Sequence, residues 1–337
     1  MIYIPYFFFF LVNIILGSFI CVSSINWLYV WGGLEINLLS FIPILICGLN
    51  ELEVERSLKY FLVQTLGSSL LLFGCFRLVN YPYSIISLYF INKLMLFSLM
   101  IKIGIFPFHY WLVHVMGGIN WVSCILLAVW QKFGPIILIR GLLESIEVWY
   151  IISIGCLGAL IGGIGGINQS HMRVLLAYSS IGHIGWMFIS IFCSFNVLLY
   201  YYIIYSVINI SIIIYMYMYS INMVNSINYI YCSFIIIFLG ILFLSLGGLP
   251  PFMGFFPKII VVNLLISRRI IFFLIILIRG SLINIFYYLN IFLNMYIKSM
   301  ILGGSSFRLG ANLFRCILIS AIFLVSIISL GVFLYIR

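Results

Sequence analysis

GGLPPFMGFFPK, residues 247–258, sets three prolines, three glycines and one lysine inside a chain that is otherwise close to continuous hydrocarbon. A proline removes a backbone donor and clashes with the preceding turn, so a helix entering this stretch has to break. Whether that break is an ordinary loop or a built device depends on the solvent around it. The rest of the sequence answers that question.

The chain has 337 residues, of which 66% are hydrophobic and 7% charged. A soluble domain carries about 45–50% apolar and about 25% charged residues. The surplus is spread over the whole length, so no water-exposed surface is available to it, and the chain reads as an all-α integral membrane protein. A spanning helix takes ~20 apolar residues. In those units the sequence gives about eleven transmembrane spans, at 2–24, 26–48, 57–79, 84–105, 118–141, 148–167, 172–193, 196–219, 232–263, 269–296 and 314–336. The connections are short, so residues 1–337 form a single transmembrane domain with no room for an extramembrane one. The amino terminus lacks a positively charged leader and reads as the first span rather than a signal peptide. The net charge of +10 suits loop cations meeting anionic headgroups, and gives no footprint for nucleic acid.

A second stretch, KIGIFPFHYW at residues 102–111, is interrupted in the same way as the first. The two breaks fall in the fourth and ninth spans. Backbone groups freed by a break are tolerated only inside protein or beside water, so both breaks are expected in the bundle interior, next to a polar cavity. Five spans is an odd number, so two five-helix units in tandem lie in opposite orientations. That is the pattern of an inverted repeat with discontinuous helices, as in ion and solute transporters. The expected repeats cover about residues 2–141 and 148–296, with a separate carboxy-terminal helix at about 314–336.

Five ionisable residues fall at membrane depth: Glu35, Lys102, Lys132, Lys258 and Arg279. A charge at the centre of a spanning helix costs at least ~2.5–3.5 kcal/mol, so these residues are expected to face a hydrated interior or one another. Burial disfavours the charged form of an amine and a nearby carboxylate favours it. A small movement between Glu35 and Lys102 would therefore change the proton affinity of the lysine. A static ion pair fixing helix register is the other reading of those two, and snorkelling to the membrane surface is the other reading of Lys258. His109, close to Pro107, is placed to contact the first cavity; Pro250 and Pro251 play the part of Pro107 at the second. His171 and His183 read as solvated residues beside a polar loop. The eight cysteines contain no C-x-x-C, no histidine pair has metal-ligand spacing, and the chain has no aspartate. No metal or cofactor site is therefore expected in this chain.

WGGLEINLLSFIP (31–43), SLKYFLVQ (57–64), KIGIFPFHYWL (102–112), WQKFGP (130–135), GGINQSHMRVLLAYSSIGHIGWM (165–187) and LSLGGLPPFMGFFPK (244–258) follow one another along the chain. In that order they resemble the NADH dehydrogenase subunit 2 family of mitochondrial respiratory complex I. The resemblance implies an antiporter-like, proton-pumping subunit of a NADH:ubiquinone reductase in the inner mitochondrial membrane. It implies a proton relay through Glu35, Lys102, Lys132 and Lys258. NADH, flavin, iron–sulfur clusters and ubiquinone would then belong to partner subunits, and neighbouring antiporter-like subunits and lipids such as cardiolipin are the implied contacts. Two rivals remain at this stage, a stand-alone cation/proton antiporter and a structural subunit without active pumping. Val174, after Arg173, and Asn290 stand where the family usually has basic residues, and Arg279 stands where it is usually apolar.

Overall fold

A computed structural model describes residues 3–48, 50–80, 85–142, 148–223 and 233–301. The described residues contain helices and no β-strand; one isolated bridge joins His171 to Met223. The helices are α1 (Tyr3–Ser23), α2 (Trp27–Leu45), α3 (Glu51–Asn80), α4 (Ile85–Ile103), α5 (Tyr110–Gly118), α6 (Trp121–Ile125), α7 (Gln131–Leu142), α8 (Val148–Gly166), α9 (Met172–Cys193), α10 (Phe195–Met218), α11 (Ser233–Gly247), α12 (Phe255–Ser267) and α13 (Ile271–Ile301). A π-helical turn, Leu126–Trp130, joins α6 to α7 into one continuous segment. Eight of the described segments are long and apolar enough to cross a membrane. The expected helix at 314–336 lies outside the described residues.

The fourth span is longer than the sequence suggested. It does not stop at about residue 105, because helix resumes at Tyr110 and runs to Gly118 as α5. The two broken segments are therefore α4–α5 and α11–α12. Both break at a glycine in the left-handed region, Gly104 at φ 76° and Gly248 at φ 80°, where a side chain would be strained. Each first half ends in the same way. Gly104 and Ile105 both donate to the Met100 carbonyl, and Gly248 and Leu249 both donate to the Leu244 carbonyl. Carbonyls that the break would orphan are thus satisfied locally, as at a Schellman-type helix end.

The glycine elbows and Pro257 lie in the interior, but the other prolines of the two breaks do not. Gly104, Ile105 and Gly248 are buried, whereas Pro107, Pro250 and Pro251 are exposed on the perimeter of the chain. This corrects the expectation that the prolines would line the cavities. The physical reason is simple: proline has no N–H, so its exposure to an apolar medium leaves no donor unsatisfied.

Helix α9 runs through the middle of the bundle and is the most buried of the eight spans. Small residues let α8 lie against it closely: a side chain at Gly162 would collide with the backbone of Gly182, and one at Gly185 with that of Gly155. On its other side α8 meets α13 through Gly163 and Gly280. The small residues that recur at three- and four-residue spacing in α8 therefore form a packing seam.

Candidate functional site

Lys102 is the penultimate residue of α4, two positions before the Gly104 elbow. It is 6% exposed, and its Nζ makes no hydrogen bond to protein. Its stem passes over Gly67 of α3, where a side chain would press on it. Glu35, midway along α2, acts on Lys102 electrostatically. The two do not form a contact ion pair; among the described residues the ion pair present is Glu55–Lys59, on the exposed face of α3. Glu35 Oε2 is itself buried without a hydrogen bond. Glu35 and Lys102 thus interact without forming an ion pair, and Glu35 Oε2 and Lys102 Nζ are both left without a hydrogen bond.

A small cavity beside Lys102 is lined by Asn37, Tyr60, Gln64 and Gln131 among others. It has room for about one water. Gln131 Nε2 donates to Asn37 Oδ1 at 2.9 Å, and Gln64 Nε2 donates to the Lys102 carbonyl at 3.2 Å. These amides come from α2, α3 and α7. They bring polar groups from Lys102 to the residue before Lys132.

Lys132 is 2% exposed and its Nζ makes no hydrogen bond to protein. It stands one residue into α7, just after the π-helical turn. Such a turn widens the helix and frees carbonyls. Two tyrosines of α10 take them up: Tyr202 Oη donates to Val129 at 2.8 Å and Tyr205 Oη to Ala128 at 3.3 Å. The Lys132 amine faces the Tyr205 ring at 5.9 Å. No sequence signal announced this turn.

Lys258 lies in the first turn of α12 and is 6% exposed. It does not snorkel. Its Nζ reaches back across the break and donates to the Gly247 carbonyl, the last residue of α11, at 2.6 Å. The Trp186 ring lies 5.9 Å from the same amine.

His183 lies within the electrostatic reach of the last two lysines, and this was not foreseen. It does not flank a loop; it sits in the middle of α9 and is 5% exposed. Both Lys258 and Lys132 act on it electrostatically. Nδ1 shares a hydrogen bond with Tyr201 Oη at 3.0 Å, and Nε2 approaches the Leu246 carbonyl without hydrogen-bond geometry. A second small cavity, lined by His183, Tyr201, Tyr205, Gly254 and Pro257 among others, lies beside it. The polar dilution of α9 by Ser179, Ser180 and Gly182 around His183 was the available hint.

His109 is buried at the first break, but its Nδ1 is engaged with the Pro107 carbonyl at 3.2 Å and its ring packs on Tyr110 at 4.2 Å. It is a packing residue of the elbow in this arrangement. Arg279 is exposed along α13 and stays away from the axis. Among the described residues, no three His, Cys, Asp or Glu side chains gather as a metal site requires.

The order Glu35, Lys102, Lys132, His183, Lys258, strung across α2, α4, α7, α9 and α12, can be compared with known proteins. A family model described as NADH:quinone oxidoreductase/Mrp antiporter, transmembrane region, matches residues 24–284. NADH-ubiquinone oxidoreductase chain 2 of Lumbricus terrestris is 39% identical over 287 residues, covering 84% of this chain and 84% of that one. The protein of the same name from Anopheles gambiae is 40% identical over 294 residues, covering 84% of this chain and 83% of that one. This chain belongs to the NADH-ubiquinone oxidoreductase chain 2 family. The fold agrees. A chain of respiratory complex I from Thermus thermophilus superposes with a TM-score of 0.79 at 20% identity, covering 96% of this chain and 78% of that chain. A chain of the Mrp complex from Dietzia sp. superposes at 0.76 with 16% identity, covering 85% and 60%. As a chain 2 family member it is an antiporter-like membrane protein, and every axis residue lies within the matched region.

Proposed function

We propose that this chain, an antiporter-like membrane subunit of respiratory complex I, moves protons along the buried series Glu35, Lys102, Lys132, His183 and Lys258. The redox chemistry that drives it belongs to partner subunits, which carry NADH, flavin, iron–sulfur clusters and ubiquinone. The inner mitochondrial membrane is its site of action, with neighbouring antiporter-like subunits beside it. The two broken segments divide the chain into repeats of opposite orientation, about residues 2–141 and 148–296.

One observation carries this reading. Lys102 and Lys132 are buried amines at membrane depth that hydrogen-bond to nothing in the protein. A purely structural role would pair such charges, because an unpaired buried ion costs several kcal/mol. An amine left unpaired beside a cavity is suited to gain and lose a proton. Glu35 favours the ammonium form of Lys102 when close and releases that preference when its side chain turns away. Lys102 would then deliver its proton through the Asn37–Gln131 cavity to Lys132. His183, between Lys132 and Lys258, offers an imidazole that accepts and donates in turn.

Lys132→Met in the complete complex, reconstituted into vesicles, tests this. Proton translocation per NADH oxidised is expected to fall about tenfold or more, a loss typical of removing a positioned proton carrier. An assembled complex that pumps normally would return the chain to the structural reading. A static role has one specific observation in its favour, the Lys258–Gly247 hydrogen bond, and that bond concerns Lys258 alone.

A further inference from the structure

The buried face of α3 carries a second polar feature, outside the lysine series. Glu53, Ser57, Tyr60 and Gln64 recur at four-, three- and four-residue spacing, which places them on one side of the helix. All four are buried, at 3%, 2%, 2% and 5% exposure. Neighbouring residues such as Leu52, Leu58 and Leu62 point outward. From Glu53 to Gln64 the column rises eleven residue steps, roughly 16 Å along the helix axis.

Its inner end reaches the site already described. Gln64 bonds the Lys102 carbonyl, Tyr60 and Gln64 line the Lys102 cavity, and Tyr60 lies within the field of Glu35. Its outer end is the Glu53 carboxylate, in the first turn of α3 at the α2–α3 connection. Asn50 Nδ2 donates to Oε1 at 3.4 Å, while Oε2 is buried and makes no hydrogen bond to protein. Exposed Gly48 covers the carboxylate with backbone only; a side chain at that position would collide with Oε2. Among the described residues no cation forms an ion pair with Glu53.

An acidic residue in a first turn complements the helix dipole. Glu51 meets that need from an exposed position. Burying Glu53 with an unsatisfied oxygen adds a desolvation cost that dipole complementation does not require. The cost has a use if the carboxylate stands between an aqueous face and the polar column behind it.

We propose that Glu53 is the aqueous-side terminus of a proton access path that descends the buried face of α3 past Ser57, Tyr60 and Gln64 to Lys102. The inference rests on the proton-relay reading above. Glu53 Oε2 takes a proton from water at the α2–α3 connection and becomes a carboxylic acid. It passes that proton to a water held between the Ser57 and Tyr60 hydroxyls. The neutral Lys102 amine takes up a proton from the inner end and becomes an ammonium, while Glu53 returns to the carboxylate. One proton moves and no electron does. Successive groups are separated by about 4.5–6 Å of helix rise, a gap that one bridging water spans. Gln64 orients the inner end through its bond to the Lys102 carbonyl.

Glu53→Gln in the complete complex, reconstituted into vesicles with a pH-reporting dye, is expected to lower proton translocation about tenfold or more. Glu51→Gln, which removes the exposed acid of the same turn, is expected to leave it unchanged. Tyr60→Phe keeps the ring against Phe41 and Trp111 and removes the hydroxyl alone; it is expected to lower translocation in the same direction. Normal translocation in Glu53→Gln, with Lys132→Met inactive, overturns the access path and leaves the relay standing. Normal translocation in Lys132→Met overturns the relay and the path together. If Glu53→Gln fails to assemble, Tyr60→Phe decides: an assembled complex with unchanged translocation overturns the path.

Discussion

The two broken helices share a backbone solution and differ in where they put the cation. In both, the first half ends at a left-handed glycine with its last carbonyls turned inward. A helix end of this kind carries partial negative charge, and hydrocarbon does nothing to screen it. At the first break the cation belongs to the helix that needs it, since Lys102 stands in the last turn of α4. At the second it comes from the far side, since Lys258 on α12 reaches back to Gly247 on α11. The first arrangement leaves the amine unbonded and within the field of Glu35. The second ties the amine to the carbonyl of Gly247. One cation is therefore free to respond to a neighbouring charge, and the other is anchored as a structural cap.

Stability measurements on paired variants sharpen that contrast. Lys258→Met removes a charged hydrogen bond and is expected to cost about 1.5–3 kcal/mol, read as a lower thermal midpoint of the solubilised complex. Lys102→Met removes an amine with no partner and is expected to leave the midpoint unchanged or raised. Equal losses in the two variants would erase the distinction. The elbows give the next largest effect. Gly104→Ala and Gly248→Ala each force a side chain into the left-handed region, at about 1–2 kcal/mol. Only the second should also depress proton translocation, because the new Cβ would lie 3.0 Å from Lys258 Nζ, whereas at position 104 it meets the Trp111 ring at 3.1 Å. Translocation falling equally in both would show that the elbows matter through backbone geometry alone. The smallest effect belongs to Gln64→Leu, which removes the amide on the Lys102 carbonyl and should cost about 1 kcal/mol, measured in the same thermal assay.

Apolar spans, paired breaks and buried lysines were legible in the sequence because each is a local property of residue type. Residues 102–111 and 247–258 announced their breaks through Gly and Pro, and Glu35, Lys102, Lys132 and Lys258 stood out against hydrocarbon. What joins these residues was not legible, because it is made by contacts between distant segments. Gln131 and Asn37 meet across 94 positions. His183 looked like a loop neighbour until α9 placed it between two lysines. The outward turn of Pro107, Pro250 and Pro251 follows from their missing N–H, a preference that spacing does not encode. The column from Glu53 to Gln64 was readable in principle from its four-, three-, four-residue rhythm. It escaped notice because Tyr60 and Gln64 pass for ordinary polar residues near a loop.

The carboxy-terminal end of α9 is held from two sides. Arg140, at the far end of the helix that carries Lys132, donates to the Ile191 carbonyl at 2.8 Å. Arg268, immediately after the helix that carries Lys258, donates to Phe192 and Cys193, both at 3.4 Å, with its guanidinium over the Phe192 ring at 4.1 Å. The scaffolds of the two lysines are thus pinned to a common post, and that post also bears His183. A tilt of either scaffold against the other has to strip guanidinium groups from helix-end carbonyls. The separation of the two helices that carry the lysines is therefore set like the span between two fixed bearings, and the rotamers of the lysines decide where between them the amines stand.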